Sequence, residues 1–298
     1  MKRRDFLFGS ASVALGSLLV TRLSAQANET KKGLKLGLTT YMIGSQWTLP
    51  QLIQHLPPLG ILAVELRTDG KHAHGVELNL SKAERSEIRK QMADSPLQLL
   101  GVACAEEYHS PDPVVLQKSI ERTKEYLQFC ADLGASGLRV RPNNFPKDVL
   151  REKTLDQIAA SLRALGATAD ALNQELRVEA HGSVGSLPNM EIIAKKADHP
   201  KVRVLLNSNF QDVEGEGLLA NLKKVGPYLG GTVHINDLTS KKYAEAKFYE
   251  TQFAFLKSVN WDGWCLLEIG DKPDDEARLG ELKRQRERWD ELVSSPTA

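Results

Sequence analysis

The feature that most constrains the fold is a regular alternation between two kinds of segment. From Lys35 onward, short apolar or β-branched runs alternate with longer segments whose apolar residues recur at helical spacing. Such alternation is typical of parallel strands joined by crossover helices. The eight predicted strands are Leu36–Tyr41, Leu62–Arg67, Gln98–Ala105, Gly137–Arg141, Leu176–His181, Val202–Asn207, Gly231–Asn236 and Trp264–Ile269.

The segments between these strands are predicted to be amphipathic helices. Pro113–Leu133 and Thr154–Leu172 each place their apolar residues on one helical face. Gly134, Gly166 and Gly226 fall where helices are expected to end, and we interpret them as terminal residues that adopt a positive φ.

Eight strand–helix cycles favour a closed sheet, so we predict an α/β fold with a single (β/α)8 TIM barrel over residues 28–298. The chain has 298 residues, of which 41% are apolar, and this is enough for one large core. A doubly wound open sheet is the competing interpretation. No Gly-rich dinucleotide-binding turn follows the first strand, which favours the barrel.

Residues 1–27 have the pattern of an export signal. Basic residues at positions 2–4 precede a mildly apolar run from Phe6 to Val20, and an Ala-Gln-Ala cleavage site ends at residue 27. The order Arg3-Arg4-Asp5-Phe6-Leu7 resembles a bacterial twin-arginine signal, with a general secretory signal or an uncleaved anchor as alternatives. We therefore expect a periplasmic or secreted protein without stable membrane insertion after cleavage.

The charge balance argues against a nucleic-acid partner. The signal holds four of the 39 basic and one of the 38 acidic residues, which leaves 35 and 37 and a net charge of −2. Proteins that neutralise several phosphates normally show a basic patch. Cys104, Cys130 and Cys265 lack CxxC spacing and are interpreted as buried free thiols, although a disulfide between Cys104 and Cys265 remains open.

Polar residues stand at the carboxyl ends of the later strands, where barrels of this kind build their sites. Because side chains alternate between the two faces of a strand, residues from four consecutive strands are expected to converge. They are Glu179, Asn207, His234 and Glu268. Their oxygen and imidazole donors suit Mn²⁺, Mg²⁺, Co²⁺ or Zn²⁺, so we predict one divalent metal cofactor whose identity the sequence leaves open.

Six further polar residues near the strand ends are expected to contact a substrate. They are Glu65, Arg139, Arg141, His181, Asn209 and Asn236. Four of them have an alternative role: Glu65 could neutralise Arg67, the two arginines could pair with nearby acids, and His181 could orient Glu179.

Three short motifs resemble the xylose-isomerase-like superfamily of sugar isomerases and epimerases. They are Glu179-Ala-His181, His234-Ile-Asn-Asp237 and Trp264-Cys-Leu-Leu-Glu268, and the likeness spans about Lys35 to Leu292. The resemblance implies that Glu179 and Glu268 are both metal ligands and catalytic acid/base groups, with His234 as a third ligand. Asn207 stands where the epimerases place an Asp ligand, as in a secreted subgroup, and this lowers the number of carboxylate ligands from three to two.

The resemblance implies an isomerase or epimerase that removes a proton through a metal-stabilised enediolate of a small-molecule carbohydrate. A 3-keto-glycoside lyase or hydratase would use the same site, and a non-catalytic periplasmic sugar-binding barrel is the non-enzymatic alternative. A metal-dependent endonuclease on the same barrel is disfavoured by the near-neutral charge. The sequence leaves assembly into a homo-oligomer open.

Overall fold

A computed structural model describes residues 33–70 and 72–295 of the chain. The predicted export signal at residues 1–27 lies outside this range. Within it, eight strands are present: β1 (Lys35–Thr39), β2 (Ala63–Arg67), β3 (Gln98–Ala103), β4 (Gly137–Val140), β5 (Glu175–Glu179), β6 (Val202–Leu205), β7 (Thr232–Ile235) and β8 (Trp264–Leu267).

The helices alternate with these strands along the chain. Among the described residues they are α1 (Leu49–His55), α2 (Lys82–Ala93), α3 (Pro113–Leu133), α4 (Arg151–Ala171), α5 (Leu187–Ala197), α6 (Leu218–Val225), α7 (Lys241–Glu245), α8 (Phe248–Ser258) and α9 (Asp275–Ser294). No helix in this part of the chain combines the length and apolar character needed to span a bilayer.

The strands are parallel and form one sheet in the order β6-β5-β4-β3-β2-β1-β8-β7. An isolated parallel bridge joins Val204 of the edge strand β6 to Leu229, three residues before the other edge strand, β7. The backbone N–H of His234 also donates to the carbonyl of Leu206 at 2.8 Å. The sheet is therefore a nearly closed (β/α)8 TIM barrel, which confirms the predicted fold class.

Two of the three glycines behave differently from the sequence-based expectation. Gly134 ends α3 with a φ of 74°, as expected. Gly166 lies inside α4, where a Cβ would meet the His199 ring at 2.5 Å, so it permits close packing and does not end the helix. Gly226 does follow α6, but its φ of −46° is right-handed, and a Cβ there would meet Phe255 at 3.0 Å.

The barrel interior is filled in layers. Ala63, Leu100 and Leu266 form a small buried apolar cluster of their own. Glu65 and Glu268 lie two residues beyond Ala63 and Leu266, so alternation places them on the same strand faces, one layer nearer the carboxyl ends. Cys104, Cys130 and Cys265 are all buried and free, which confirms their interpretation as thiols.

Candidate metal centre

Three potential ligands converge at the carboxyl ends of β5, β7 and β8. Glu179 is the last residue of β5, His234 lies within β7, and Glu268 directly follows β8. His234 Nδ1 lies 3.1 Å from Glu179 Oε1 and 3.5 Å from Glu268 Oε2. One ligand atom from each of the three residues lies within 4.8 Å of the other two. Because Glu179 and His234 are fully buried and Glu268 is partly exposed, the cluster opens toward solvent on the Glu268 side.

Glu65 fixes the orientation of the His234 ring. Its Oε1 lies 2.9 Å from His234 Nε2, and its side chain is completely buried within β2. We expected Glu65 to contact substrate or to neutralise Arg67, but its carboxylate bonds the imidazole of His234. A carboxylate that accepts the outer N–H of a histidine leaves the other nitrogen available as a ligand.

Arg139 lies against Glu179 in the barrel interior. Its guanidinium forms a buried ion pair with Glu179 Oε2 and donates to the Cys104 carbonyl at 3.0 Å. This contact is the ion pair with a nearby acid that was the alternative for Arg139 in the sequence analysis above.

Asn207 reaches the cluster, but its amide nitrogen faces the carboxylate. Asn207 Nδ2 donates to Glu179 Oε1 at 3.0 Å, and Asn207 Oδ1 accepts from the Ser208 N–H at 2.8 Å. In this orientation Asn207 is a hydrogen-bond donor to Glu179. Ligation through its carbonyl oxygen would require rotation of the amide.

Interactions between the buried charges determine which groups of the cluster hold a proton. Burial lowers the pKa of His234, but the carboxylates of Glu65, Glu179 and Glu268 outweigh it and raise the pKa well above its ordinary value. Burial raises the pKa of Glu179, but Arg139 and His234 outweigh it and hold that pKa below its usual range. Without an ion, the cluster is therefore a set of carboxylates around an imidazolium.

The residues present fit a divalent cation. Glu65, Glu179 and Glu268 carry three negative charges against the single charge of Arg139, so a divalent ion in place of the imidazolium proton would give zero net charge. Glu65 Oε2 is buried and has no hydrogen-bond partner in the described structure, so one carboxylate oxygen beside His234 is still unpaired. Two carboxylates and an imidazole nitrogen suit Mn²⁺, Mg²⁺, Co²⁺ or Zn²⁺.

The remaining predicted residues lie around the cluster and are held by protein contacts. Arg141 pairs with Glu107 at 2.9 Å, and His181 Nδ1 lies 3.0 Å from Asn143 Oδ1. Burial and the arginine charges lower the pKa of His181, despite the opposing effect of Glu179. Two other contacts complete the set: Asn209 Nδ2 donates to the Ala180 carbonyl at 2.5 Å and Asn236 Nδ2 donates to Tyr243 Oη at 3.2 Å.

Three residues outside the predicted set hold this surrounding layer together. Asn143 and Glu107 support His181, and Tyr243 supports Asn236 and donates to the Ser208 carbonyl at 2.7 Å. The sequence Arg-Pro-Asn-Asn directly after β4 could have indicated Asn143, because polar residues that follow a strand end are candidates for the site. Tyr243 lies in α7, outside the strand ends, and carried no signal.

The fold and the position of this cluster define the class of protein. The buried ionisable residues lie at the carboxyl ends of the eight parallel strands, which is the face where (β/α)8 barrels build their active sites. The family model of the xylose isomerase-like TIM barrel matches residues 55–291, and the chain belongs to this family. No curated protein matches the sequence closely enough to count as a relative.

Several solved structures share the fold at low sequence identity. D-psicose 3-epimerase from Clostridium cellulolyticum H10, solved with D-tagatose, has a TM-score of 0.72 at 14% identity, over 88% of this chain and 100% of that one. The 3-keto-D-glucoside 4-epimerase of E. coli has a TM-score of 0.67 at 14% identity, over 88% and 100%. The IolI protein with a bound zinc atom has a TM-score of 0.70 at 14% identity, over 87% and 98%.

Proposed function

We propose that this protein is a divalent-metal-dependent isomerase or epimerase of a small carbohydrate, which moves a proton at the carbon beside a carbonyl group. The observation that carries the proposal is the convergence of Glu179, His234 and Glu268, whose ligand atoms lie within 4.8 Å of one another. Support also comes from the family membership and from the sugar epimerases and the zinc-containing barrel that share the fold.

The chain supplies two carboxylates with different environments for the proton transfer. Glu179 forms an ion pair with Arg139 and holds its negative charge, whereas Glu268 is partly exposed and its carboxylate pairs, among the described residues, only with His234. Glu268 is therefore the better placed of the two to take a proton from substrate, with Glu179 as the second acid/base group. Glu65 holds His234 so that Nδ1 faces both carboxylates.

The residues that would hold the ion are Glu179, His234 and Glu268, with Asn207 as a fourth ligand after rotation of its amide. When bound, a divalent ion polarises a carbonyl and stabilises the negative charge that develops as the neighbouring proton leaves.

Solvent deuterium exchange tests the proposal. We expect the protein with Mn²⁺ to incorporate deuterium into a keto sugar from a panel of D-fructose, D-tagatose and methyl 3-keto-β-D-glucoside. Glu268→Gln removes the proton acceptor and should lower the exchange rate by about 10²- to 10⁴-fold. The melting temperature should stay close to that of the wild type, because Glu268 is partly exposed.

The matched control is Glu87→Gln, which changes an exposed glutamate on α2 far from the cluster in sequence and should leave exchange unchanged. Exchange that survives Glu268→Gln would contradict the assigned role, and so would unfolding caused by this substitution. Release of the aglycone from the 3-keto glycoside would indicate a lyase, and sugar binding without any exchange would indicate a non-catalytic barrel.

We also propose that the chain is exported to the periplasm or beyond, because residues 1–27 have the pattern of a twin-arginine signal. Cell fractionation tests this: mature chain in the periplasmic fraction supports export, and full-length chain confined to the cytosol contradicts it.

A further inference from the structure

Arg67 is an arginine at the mouth of the barrel that forms no ion pair with the described residues. It is the last residue of β2, and its side chain is partly buried. Its Nη1 donates to the carbonyl of Ala103 at 2.8 Å. Neither Nε nor Nη2 has a hydrogen-bond partner in the described part of the chain, and neither atom is enclosed by protein. The edge of the guanidinium that carries these two nitrogens is therefore open to a ligand.

The acidic residues closest to Arg67 in sequence are paired with other groups. Glu65, two residues before it, bonds His234 at 2.9 Å. Asp69, two residues after it, forms an ion pair with Arg122 at 2.8 Å. A partly buried positive charge without a counter-ion is unfavourable, and a bound anion would supply the missing partner.

Arg67 lies one layer nearer the barrel mouth than the candidate metal centre. Side chains alternate along a strand, so Glu65 and Arg67 project from the same face of β2, and their Cα atoms are about 6–7 Å apart. Glu65 is the residue whose carboxylate contacts His234. A substrate with its carbonyl at the metal centre would therefore extend past Arg67 on its way out of the barrel.

The neighbouring wall of the barrel offers hydrogen-bond donors and positive charge. In the sheet register Ala103 of β3 pairs with Arg67 on one side and with Arg139 on the other, so only a methyl group stands between the two arginines. The Nε atoms of Arg139 and Arg141 are buried and lack an acceptor in the described structure. Burial lowers the pKa of Arg67, and the charges of Arg139 and Arg141 lower it further. An anion beside Arg67 would relieve this repulsion.

The backbone of Arg67 is held on both sides. Its N–H donates to Thr40 Oγ1 at 2.8 Å. Burial lowers the pKa of His74 to about 4, so its ring is neutral, and His74 Nδ1 accepts from the Val76 N–H at 3.0 Å. The single ring proton is then on Nε2, which donates to the Arg67 carbonyl at 3.1 Å. Arg67 is thus positioned before a ligand arrives, which lowers the entropy cost of binding.

We propose that Arg67 binds a carboxylate or phosphate group of the substrate through Nε and Nη2, and that it makes the site selective for anionic sugars. The inference rests on the proposed function, because it names the substrate class of the same site. The two N–H groups on one edge of a guanidinium match two oxygens of either anion. With a divalent ion the cluster has zero net charge, so Arg67 adds one positive charge that a singly charged substrate would balance.

The first test measures binding and does not depend on turnover. D-glucitol, D-gluconate and D-glucitol 6-phosphate share a chain of hydroxyl groups and have no ketone or aldehyde. Titration calorimetry of the protein with Mn²⁺ should give a Kd at least about tenfold lower for one of the two anions than for D-glucitol. Tighter binding of D-gluconate identifies a carboxylate as the recognised group, and tighter binding of D-glucitol 6-phosphate identifies a phosphate.

Arg67→Gln removes the charge and the paired donors, so it should abolish the preference for the anion and leave the Kd of D-glucitol unchanged. Arg67→Lys keeps the charge without the two parallel donors and should retain part of the preference. The matched control is Arg163→Gln on α4, because Arg163 also bonds backbone carbonyls, those of Lys196 and Ala197. This control should keep the full preference.

The second test measures the effect on turnover. We compare kcat/KM for deuterium exchange into D-fructose, D-fructuronate and D-fructose 6-phosphate. The ketose with the recognised anionic group should exceed D-fructose by about 10- to 100-fold, the contribution of a hydrogen bond to a charged group. In Arg67→Gln this advantage should disappear, mainly through KM, while exchange into D-fructose stays at the wild-type rate.

Each outcome bears on the proposal. Equal affinity of the wild type for all three polyols would overturn it. A preference for the anion that survives Arg67→Gln would also overturn it, because the anion would then be bound by another group such as the metal ion. Equal weakening of D-glucitol and the anions in Arg67→Gln would indicate a structural role and contradict it. An anion preference that depends on Arg67, without exchange into any sugar, would uphold the anion site and contradict the proposed function.

Discussion

Asn207 is the residue at which this chain departs most from the metal site that its resemblance implies. Asn207→Asp would place a carboxylate where the Asn207 amide now lies, 3.0 Å from Glu179 Oε1. Without metal, repulsion between the two carboxylates should lower the melting temperature. With Mn²⁺, the added anionic ligand should tighten binding by about tenfold, as measured by titration calorimetry.

The control is Asn209→Asp, because Asn209 bonds the Ala180 carbonyl and lies outside the ligand set. It should leave Mn²⁺ affinity unchanged. Equal affinity of Asn207→Asp and the wild type for Mn²⁺ would contradict a place for residue 207 beside the ion.

The sequence showed that Asn207 removes one negative charge, but not which end of its amide faces Glu179. That orientation depends on the Ser208 N–H, which donates and so requires the oxygen of the amide, and on the ionised Glu179, which accepts and so requires the NH₂ group. Likewise, the link between Glu65 and His234 joins residues 169 positions apart and depends on barrel closure. The sequence thus predicted which residues stand at the site, but their hydrogen-bond partners depend on how the barrel brings the strands together.

Asp212 gives a pH dependence that is separate from the metal centre. Burial raises its pKa to about 7, although the Leu187 N–H that it accepts acts in the opposite direction. The folded state therefore binds the proton more tightly than the unfolded state, and stability is lost as pH rises from about 4 to 7. Asp212→Asn should be more stable than the wild type by about 1–2 kcal/mol at pH 8, and by nothing at pH 4.

Urea unfolding at a series of pH values measures this difference, and Asp94→Asn, at an exposed helix end, is the control. A stability difference that does not grow between pH 4 and pH 7 would contradict the assignment to Asp212.

At the scale of elements, the alternation of segments predicted every strand, with ends within two residues of those observed. The predicted strands ran too far at their carboxyl ends, as Leu176–His181 against Glu175–Glu179 shows. Some of these extra residues, such as His181, Asn207 and Glu268, are polar residues of the loops that follow the strands. The prediction for Gly166 was wrong because a glycine can serve either of two purposes. Gly166 leaves room for the His199 ring to pack against α4, and the sequence alone does not distinguish this from a glycine that ends a helix.

Gly37 tests how tightly the lower layer of the barrel is packed. A Cβ at this position of β1 would meet Leu266 at 2.6 Å and the Ala63 carbonyl at 2.9 Å. Gly37→Ala should therefore separate β1 from its neighbours and lower the free energy of unfolding by about 1–3 kcal/mol. Urea denaturation measures the change.

The control for this substitution is Gly280→Ala in α9, where a Cβ meets nothing within 4 Å. It should raise stability by about 0.5–1 kcal/mol through its higher helix propensity. A Gly37→Ala variant as stable as the wild type would show that the barrel interior is looser than described.

At the scale of the whole molecule, the fold gathers distant residues into an apolar layer with a charged layer above it. Ala63, Leu100 and Leu266 exclude water from below, and this strengthens the interactions between the charges above them. The barrel thus explains why Glu179 and His234, 55 positions apart, come within 3.1 Å. It also explains why the cluster favours a cation: its carboxylates outnumber its buried arginine.

The most direct test of the account is the location of a bound ion. A crystal of the protein soaked with Mn²⁺ and measured at the manganese absorption edge should show one strong anomalous peak per chain, contacted by Glu179, His234 Nδ1 and Glu268. Absence of a peak there at saturating Mn²⁺, with the Glu179–His234 hydrogen bond intact, would contradict the central claim.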